Sequence, residues 1–336
     1  MKRILVTGGL GYIGSHTVVE LISQGYEVLI ADNLSNSRAE VLDGIETICG
    51  SIPEWVNIDL SDNEKCKLFL KNKKLDGIIH FAAFKAVGES VNNPLKYYQN
   101  NIFSLVNLLE YLKENRACNF IFSSSCTVYG QAEDLPIIEN AEIKTAESPY
   151  GKTKQICEEI IKESSVAYNL KIIALRYFNP IGAHPSGKIG ELPIGVPQNL
   201  VPFITQSVAG IRGELNVYGD DYPTADGSAI RDYIHVVDLA EAHIVALERL
   251  LADNNESNTE VYNLGSGKGS SVLEVIEAFK KATGEKLQYK IARRRKGDIT
   301  AAYADTKLAE KNLGWKAKKT LEDALKDAWR WQKNQM

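Results

Sequence analysis

Residues 3–16, RILVTGGLGYIGSH, run a short apolar stretch into a glycine-rich turn and then into a segment of helical periodicity that closes on Gly25. An unbroken apolar run of this length predicts a strand covered on both faces, and the turn and helix that follow place Gly8, Gly11 and Gly14 where strand becomes helix. YEVLIAD then reads as a second short strand, so the first part of the chain predicts a βαβ unit. At such a junction glycine lets the backbone turn tightly and approach a pyrophosphate, while the helix N-terminal amides face the negative charge. Asp32 closes the second strand, where a carboxylate accepts hydrogen bonds from an adenosine ribose and repels a 2′-phosphate. NAD is therefore favoured over NADP.

Similar apolar runs recur at DGIIHFAA, CNFIFSSS and LKIIALRYFN, separated by helical patterns such as PLKYYQNNIFSLVNLLEYLKEN. Strands alternating with helices predict an α/β fold, a Rossmann-type doubly wound parallel sheet. After Asn179 the Pro- and Gly-rich PIGAHPSGKIGELPIGVPQN breaks the pattern. The expected division is a dinucleotide-binding domain over 1–179 with about 233–258, and a smaller, interleaved α/β domain for the substrate over about 180–232 and 259–336. With 336 residues, 44% of them hydrophobic and 24% charged, the chain is long enough for both. Its formal net charge of -4 supplies no field for nucleic acid. Five scattered cysteines carry neither disulfide nor zinc spacing, no signal-peptide cleavage site follows the N-terminal residues, and no run reaches the roughly 18 apolar residues of a membrane span. The expected setting is cytoplasmic, with no nucleic acid, membrane or metal partner.

SPYGKTK sets Tyr150 four residues before Lys154. On a helix that spacing places both side chains on one face, one turn apart. Bringing a phenol from a pKa of about 10 to about 7 takes about 4 kcal/mol. An ammonium at about 4 Å contributes on the order of 4 kcal/mol at an effective dielectric of about 20. A tyrosine base tuned by a lysine is thus electrostatically feasible. Ser125, at the end of FIFSSSC, is placed to hydrogen-bond the same substrate hydroxyl and relay its proton.

TGGLGYIG, SSSCTVYG and SPYGKTK together resemble the extended short-chain dehydrogenase/reductase family. HFAAFKAVGES, LRYFNPIGAH, YPTADGSAIRDYIHVVDLA and VYNLGSGKGSSVLEVI are similar to the UDP-hexose 4-epimerases within it. The resemblance implies Tyr150 as base and acid, Lys154 as its modulator and a holder of the nicotinamide ribose, and Ser125 as assistant. It implies tightly bound NAD, held by the Gly8, Gly11, Tyr12, Ile13, Gly14 loop, by Asp32, Asn33, Leu34, Ser35, Asn36 and Ser37, and by Asp59 and Leu60. Phe81, Ala82, Ala83, Phe84, Lys85, Asn100 and Phe178 complete that set with Ser125, Tyr150 and Lys154. For a UDP-hexose it implies Lys85, Ser125, Tyr150, Asn179, Asn199, Leu200, Tyr218, Arg231, Arg295, Asp298 and Ala302. Arginines suit the diphosphate, which is bidentate and anionic.

The implied reaction is interconversion of UDP-galactose and UDP-glucose by transient oxidation at C4. Two other readings stay open. A nucleotide-sugar 4,6-dehydratase begins alike but eliminates water, which needs an acid/base pair where this chain has Cys126 and Thr127. An NAD-sensing regulator would have no need of the Ser125, Tyr150 and Lys154 set. Ala302 matches a position that is bulky in strict glucose/galactose epimerases and small in those that accept N-acetylated sugars, so UDP-GlcNAc and UDP-GalNAc are expected substrates. The five histidines lack metal-ligand spacing and read as structural, Cys126 and Cys157 as packing residues, and within the basic run 293–296 only Arg295 is given a function. The family precedent is a homodimer packed through the helices at PLKYYQNNIFSLVNLLEYL and YGKTKQICEEIIKESSVAY.

Overall fold

The computed structural model describes residues 1–295 and 298–336, and the chain divides into two compact units. The first comprises residues 1–131, 142–177 and 240–262. It is built on six strands, β1 (Arg3–Thr7), β2 (Glu27–Asp32), β3 (Glu54–Asn57), β4 (Gly77–His80), β5 (Asn119–Ser123) and β6 (Ile172–Tyr177), extended by the strand Thr259–Leu264. Their order across the sheet is β3-β2-β1-β4-β5-β6 and then Thr259–Leu264, with parallel pairing throughout β1 to β6. β1 lies between β2 and β4, so the chain's progress across the sheet reverses beside Thr7. In open α/β sheets the crevice at the carboxyl ends of the strands flanking such a reversal is the ligand site.

The burial pattern explains the sequence pattern. Ile4, Leu5 and Val6 of β1 are wholly buried, as a strand with helices over both faces must be. One core layer joins Leu5, Leu29, Ile78, Phe120 and Ile172 of the sheet to Leu105, Leu108 and Leu112 of the helix Pro94–Glu114 and to Cys157 and Ile161 of the helix Pro149–Tyr168. The last helix is started by Ser148, whose Oγ accepts from the Gly151 N–H at 3.1 Å, with Pro149 at the first helical position. Asn169 ends it in the left-handed region at φ 54°. This start signal puts Tyr150 and Lys154 on the first turns of a rigid element.

The second unit comprises residues 132–141, 178–239 and 263–336. Its four-stranded sheet centres on Ile230–His235, which pairs with Asn179–Ile181 and Ala301–Ala302 in parallel and with Gly269–Ser271 antiparallel. A separate parallel pair joins Leu215–Tyr218 to Tyr289–Ala292. Its core gathers Ile204, Val217, Val275, Ile276, Phe279, Leu325 and Trp329. Capping boxes begin two helices, Ser271 with Glu274 and Thr320 with Asp323. Residues 132–141, which carry no domain signal of their own, join this unit because Ile137 bridges to the segment after Ala302: its N–H donates to the Tyr303 carbonyl at 2.9 Å and its carbonyl accepts from the Asp305 N–H at 2.8 Å. The boundaries also fall at 177/178, 239/240 and 262/263, where the sequence reading has 179, about 233 and about 258.

Candidate functional site

The first unit holds a cleft of about 910 Å³ at the reversal point of its sheet. Its floor is the glycine turn. Gly8 has φ +68°, and a Cβ there would lie 2.8 Å from the Ala82 nitrogen. At Gly14 a Cβ would lie 2.2 Å from the Gly8 carbonyl oxygen. Both positions therefore demand glycine on steric grounds alone. Gly11 precedes the helix Tyr12–Ser23, and no side chain caps that N-terminus. Asp32 is nearly buried at the end of β2 and orders the neighbouring turn: Oδ1 accepts from the Leu34 N–H at 2.9 Å and the Ser37 hydroxyl at 2.7 Å, Oδ2 from the Leu10 N–H at 3.0 Å. An ionised carboxylate offers about four lone-pair sites, so capacity remains for a ribose hydroxyl. A glycine cradle beside such a carboxylate fits a dinucleotide.

Most of the residues assigned to NAD line this cleft: Gly8, Gly11 to Gly14, Asp32, Asn33, Ser35 to Ser37, Asp59, Leu60, Phe81 to Ala83, Lys85, Asn100, Tyr150 and Lys154. Four do not. Leu34 adopts φ 59° to let the turn close on Asp32. Phe84 is anchored on the helix Pro94–Glu114, where Asn101 bonds both its N–H at 2.8 Å and its carbonyl at 3.0 Å, and its ring meets Tyr97. Phe178 is buried in the second unit, its N–H donating to the Leu264 carbonyl at 3.0 Å. Ser125 caps the short helix Cys126–Tyr129 and hydrogen-bonds the Tyr150 phenol. Tyr177, Ser61 and Ser104 also line the cleft and were not foreseen. Tyr177 had a usable signal, since it closes β6 where ligands collect; the two serines sit in segments without a motif.

The reactive corner is largely shielded from solvent. Ser125, Tyr150 and Lys154 are all buried. Burial is the largest influence on Tyr150 and pushes its phenol well above the usual value; Tyr177, Cys126 and Tyr97 act in the same direction, and the Ser125 hydrogen bond opposes them. Lys154 is pulled down to about 8 by burial, with Cys157 and Glu158 acting upward. Its Nζ donates to the Ser123 carbonyl at 2.6 Å and lies 4.7 Å above the Phe122 ring centroid. Thus the tyrosine and lysine share the cleft as the spacing predicts, but the lysine's hydrogen bond goes to the serine strand end. His80 stands behind them, wholly desolvated, with Nδ1 2.7 Å from the Thr7 hydroxyl, and burial followed by the Lys154 charge lowers it to about 3. It is a neutral structural imidazole.

The second unit has its own cleft, of about 1250 Å³. Of the residues assigned to the nucleotide sugar, Asn179, Asn199, Leu200, Tyr218, Arg231, Arg295 and Asp298 line it. Asn199 precedes the helix Leu200–Val208, whose N-terminus no side chain caps. Asp298 stands between two arginines, with Arg295 Nε at 3.0 Å and Arg231 Nη2 at 3.5 Å, and the Arg295 guanidinium lies 4.8 Å over the Tyr218 ring. Two guanidiniums against one carboxylate beside a helix start make a surface that suits a diphosphate. Ala302 is buried in its two-residue strand opposite Arg231 and is not among the cleft-lining residues. Phe203, Asn216 and Tyr233 line the cleft without having been singled out, because single residues on strands and helices carry no motif. Lys296 of the basic run lies outside the described residues.

A parallel sheet of this order, a glycine turn at its reversal and a buried Ser/Tyr/Lys corner define a nicotinamide-dinucleotide enzyme of the extended short-chain dehydrogenase/reductase class. A family profile described as GDP-mannose 4,6 dehydratase matches residues 5–328. The UDP-glucose 4-epimerase of Yersinia enterocolitica is 50% identical, over 98% of this chain and 97% of that protein. Among solved structures, UDP-glucose 4-epimerase from Stenotrophomonas maltophila with bound NAD and formylated UDP-arabinopyranose is 44% identical at TM-score 0.95, covering 100% of this chain and 99% of the other. The Bifidobacterium longum enzyme in complex with NAD+ and UDP is 45% identical at TM-score 0.93, covering 99% and 98%. The chain belongs to the UDP-glucose 4-epimerase family.

Proposed function

We infer that this chain is an NAD-dependent isomerase that interconverts UDP-galactose and UDP-glucose. The observation that carries this reading is the Ser125, Tyr150 and Lys154 corner in the dinucleotide cleft, in a chain half identical to epimerases along its whole length. Bound NAD supplies a hydride acceptor that is also the hydride donor, so C4 passes through a ketone with no net redox. Tyr150 takes the proton of the sugar 4-hydroxyl and later returns it, with the Ser125 hydroxyl orienting the exchange. The protein groups around Tyr150 leave its phenol high, so its activation depends on added positive charge, which a nicotinamide cation provides. Arg231 and Arg295 hold the diphosphate. Lys85, which lines the dinucleotide cleft, and Asn179, Asn199, Leu200 and Tyr218, which line the second, contribute the remaining contacts.

Elimination of water would need acid and base groups where Cys126 and Thr127 stand, which disfavours the dehydratase reading. Activity on UDP-GlcNAc and UDP-GalNAc as well is proposed on the resemblance alone, since Ala302 is small but lies buried outside the residues that line the cleft. The assembly proposed is a homodimer: the helices Pro94–Glu114 and Pro149–Tyr168 pack together and expose Leu95, Phe103, Val106 and Val166. No helix among the described residues is long and apolar enough to cross a membrane, and the setting proposed is the cytoplasm.

The deciding experiment incubates the purified protein, without added cofactor, with UDP-galactose and UDP-N-acetylgalactosamine in turn and resolves the epimers. Conversion of both is expected. Conversion of UDP-galactose alone removes the Ala302 argument, and conversion of neither, even with added NAD, removes the epimerase reading in favour of a sensor.

A further inference from the structure

Three consecutive serines run from the last residue of β5, Ser123, to Ser125, and each has a different partner. Ser123 offers its carbonyl to Lys154 Nζ at 2.6 Å and its hydroxyl to the Tyr177 oxygen at 3.0 Å. Ser125 hydrogen-bonds Tyr150. Ser124 lies between them, wholly buried, and points elsewhere: its hydroxyl donates to Glu158 Oε1 at 2.5 Å. Beyond β5 the backbone stays extended, with the Ser124 N–H donating to the Leu175 carbonyl at 2.9 Å and Ser125 at φ -158° and ψ 150°, so side chains continue to alternate and Ser124 reaches behind the corner whereas its neighbours face it.

Glu158 follows Lys154 by one helical turn and is not a surface charge. Arg176 on β6 clamps it with Nε at 3.0 Å from Oε1 and Nη2 at 2.5 Å from Oε2. The guanidinium is itself held by the Tyr129 hydroxyl at 3.0 Å and stacks 4.8 Å from that ring. Side-chain exposures of 6% and 10% mark the pair as desolvated. Such a pair is poor value for net stability, because desolvation offsets the attraction, but it fixes geometry. The elements it joins are the ones that carry the corner: the helix with Tyr150 and Lys154, the serine end of β5, and the end of β6 next to Tyr177.

We propose that Ser124 and Glu158 are positioning residues for the reaction: their hydrogen bond, backed by Arg176, locks the end of β5 to the catalytic helix and so sets where Ser123 holds Lys154 and where Ser125 meets Tyr150. This rests on the reading of Tyr150, Lys154 and Ser125 as the reacting set. The groups that face Lys154 are Tyr150, Cys157 and Glu158 on its own helix, His80 from β4, Phe122 and Ser123 from β5, and Tyr177 from β6. Glu158 is paired with Arg176 and also acts upward on Lys154, and Ser124→Ala leaves that charge in place while removing the tie to the strand end.

Ser124→Ala is the informative variant, since it leaves the Glu158–Arg176 clamp whole. With wild-type turnover of UDP-galactose established first, kcat is expected to fall about ten- to hundredfold, the scale of a misplacement of about 1 Å. KM should stay within about twofold, as for a loss felt only in the transition state. The rising limb of kcat against pH should move to higher pH, because Ser125 no longer supports the Tyr150 phenolate. Glu158→Gln should show the same signature, and Ser124→Ala/Glu158→Gln should be no slower than Glu158→Gln alone. Wild-type kcat and pH profile in Ser124→Ala would overturn the proposal, as would additive losses in the double variant. So would a loss of kcat matched by equal losses of NAD binding and thermal stability, which would mark a merely structural contact. An inactive wild-type protein would instead fall on the reading of the reaction.

Discussion

Lys154 and Ser123 are joined by a hydrogen bond of 2.6 Å from ammonium to strand-end carbonyl, although the sequence pairs the lysine with Tyr150. The helix supplies the lysine and the sheet supplies its acceptor, so the cation is held over Phe122 at the cleft and is not left to choose among rotamers. Burial nevertheless disfavours the charge and brings the group down to about 8 from 10.5. Lys154→Met should therefore lower kcat by about 10²–10⁴-fold, the range for loss of acid–base support. It should also expose a linkage. Below about pH 8 both folded and unfolded lysines are protonated and the burial cost is borne in full, whereas above 10.5 both are neutral. The stability of wild type relative to Lys154→Met should thus rise with pH across that window. Urea unfolding of both proteins at pH 7.5 and at pH 9.5 measures it; a difference that does not change would show that Lys154 is not desolvated.

Tyr150→Phe removes one oxygen from a buried position on the cleft wall and leaves Ser125 without that partner. Turnover should fall by about 10²–10⁴-fold while the ring preserves the packing. Retained NAD at unchanged stoichiometry, read by absorbance after denaturation, distinguishes a lost proton carrier from a lost cleft. Loss of the cofactor together with activity would contradict the role given to the phenol.

Gly14→Ala tests the cradle. The added methyl would sit 2.2 Å from the Gly8 carbonyl oxygen, a backbone atom that cannot swing aside. Overpacking of this kind costs about 1–3 kcal/mol, and here the turn that receives the dinucleotide must move to relieve it. The expected result is a purified protein depleted of NAD, with thermal unfolding shifted down. A variant that keeps full NAD occupancy would mean the loop has slack that its geometry does not display.

What the sequence made legible follows from what makes a motif. The β1 run, the glycines and Asp32 announce themselves because a strand covered on both faces, a turn without Cβ atoms and a strand-end carboxylate each restrict residue type, and the alternation of strands with helices implies a parallel sheet, whereas the order β3-β2-β1-β4-β5-β6 is fixed by packing that no local pattern encodes. Tyr150 and Lys154 were legible from helical spacing. The Ser124, Glu158 and Arg176 bridge was not: its members come from three elements, and each residue alone is ordinary on its element. Phe84 and Tyr177 show the same limit at one residue's resolution, since in each case the neighbour on the chain was given the cleft or shared it. The passage of residues 132–141 into the second unit depends on Ile137 meeting Tyr303 and Asp305, a pairing across about half of the chain that no local pattern encodes.

The exposed row on the helix Pro94–Glu114 supplies a test of assembly. Leu95, Phe103 and Val106 recur at intervals of eight and three and so share one face, with Phe103 about half exposed at 52%. Val166 on the helix packed beside it is 72% exposed. Phe103→Glu should convert the proposed dimer to monomer in light scattering, because a charge set into an apolar contact is desolvated without a partner. Stability of the monomer should change little, since the side chain already meets solvent within one copy. A variant that still elutes as a dimer would move the interface to another face.

His80 gives the clearest dependence on acid. It is wholly buried at the end of β4, bonded to Thr7, and its folded value of about 3 lies below the ordinary 6.5. Above pH 6.5 the imidazole is neutral in both states and contributes no slope. As pH falls below that, the unfolded chain takes up a proton that the folded chain refuses, so stability is lost progressively down to about 3. Between pH 7 and pH 5 the loss amounts to about 2 kcal/mol at 1.36 kcal/mol per pKa unit. His80→Gln keeps a hydrogen-bonding group near Thr7 and removes the titration. Denaturant midpoints of both proteins at pH 7 and at pH 5 isolate the effect, because carboxylate contributions are common to the two. The wild type should lose more stability on acidification than the variant, and equal losses would mean that His80 reaches solvent in the folded protein.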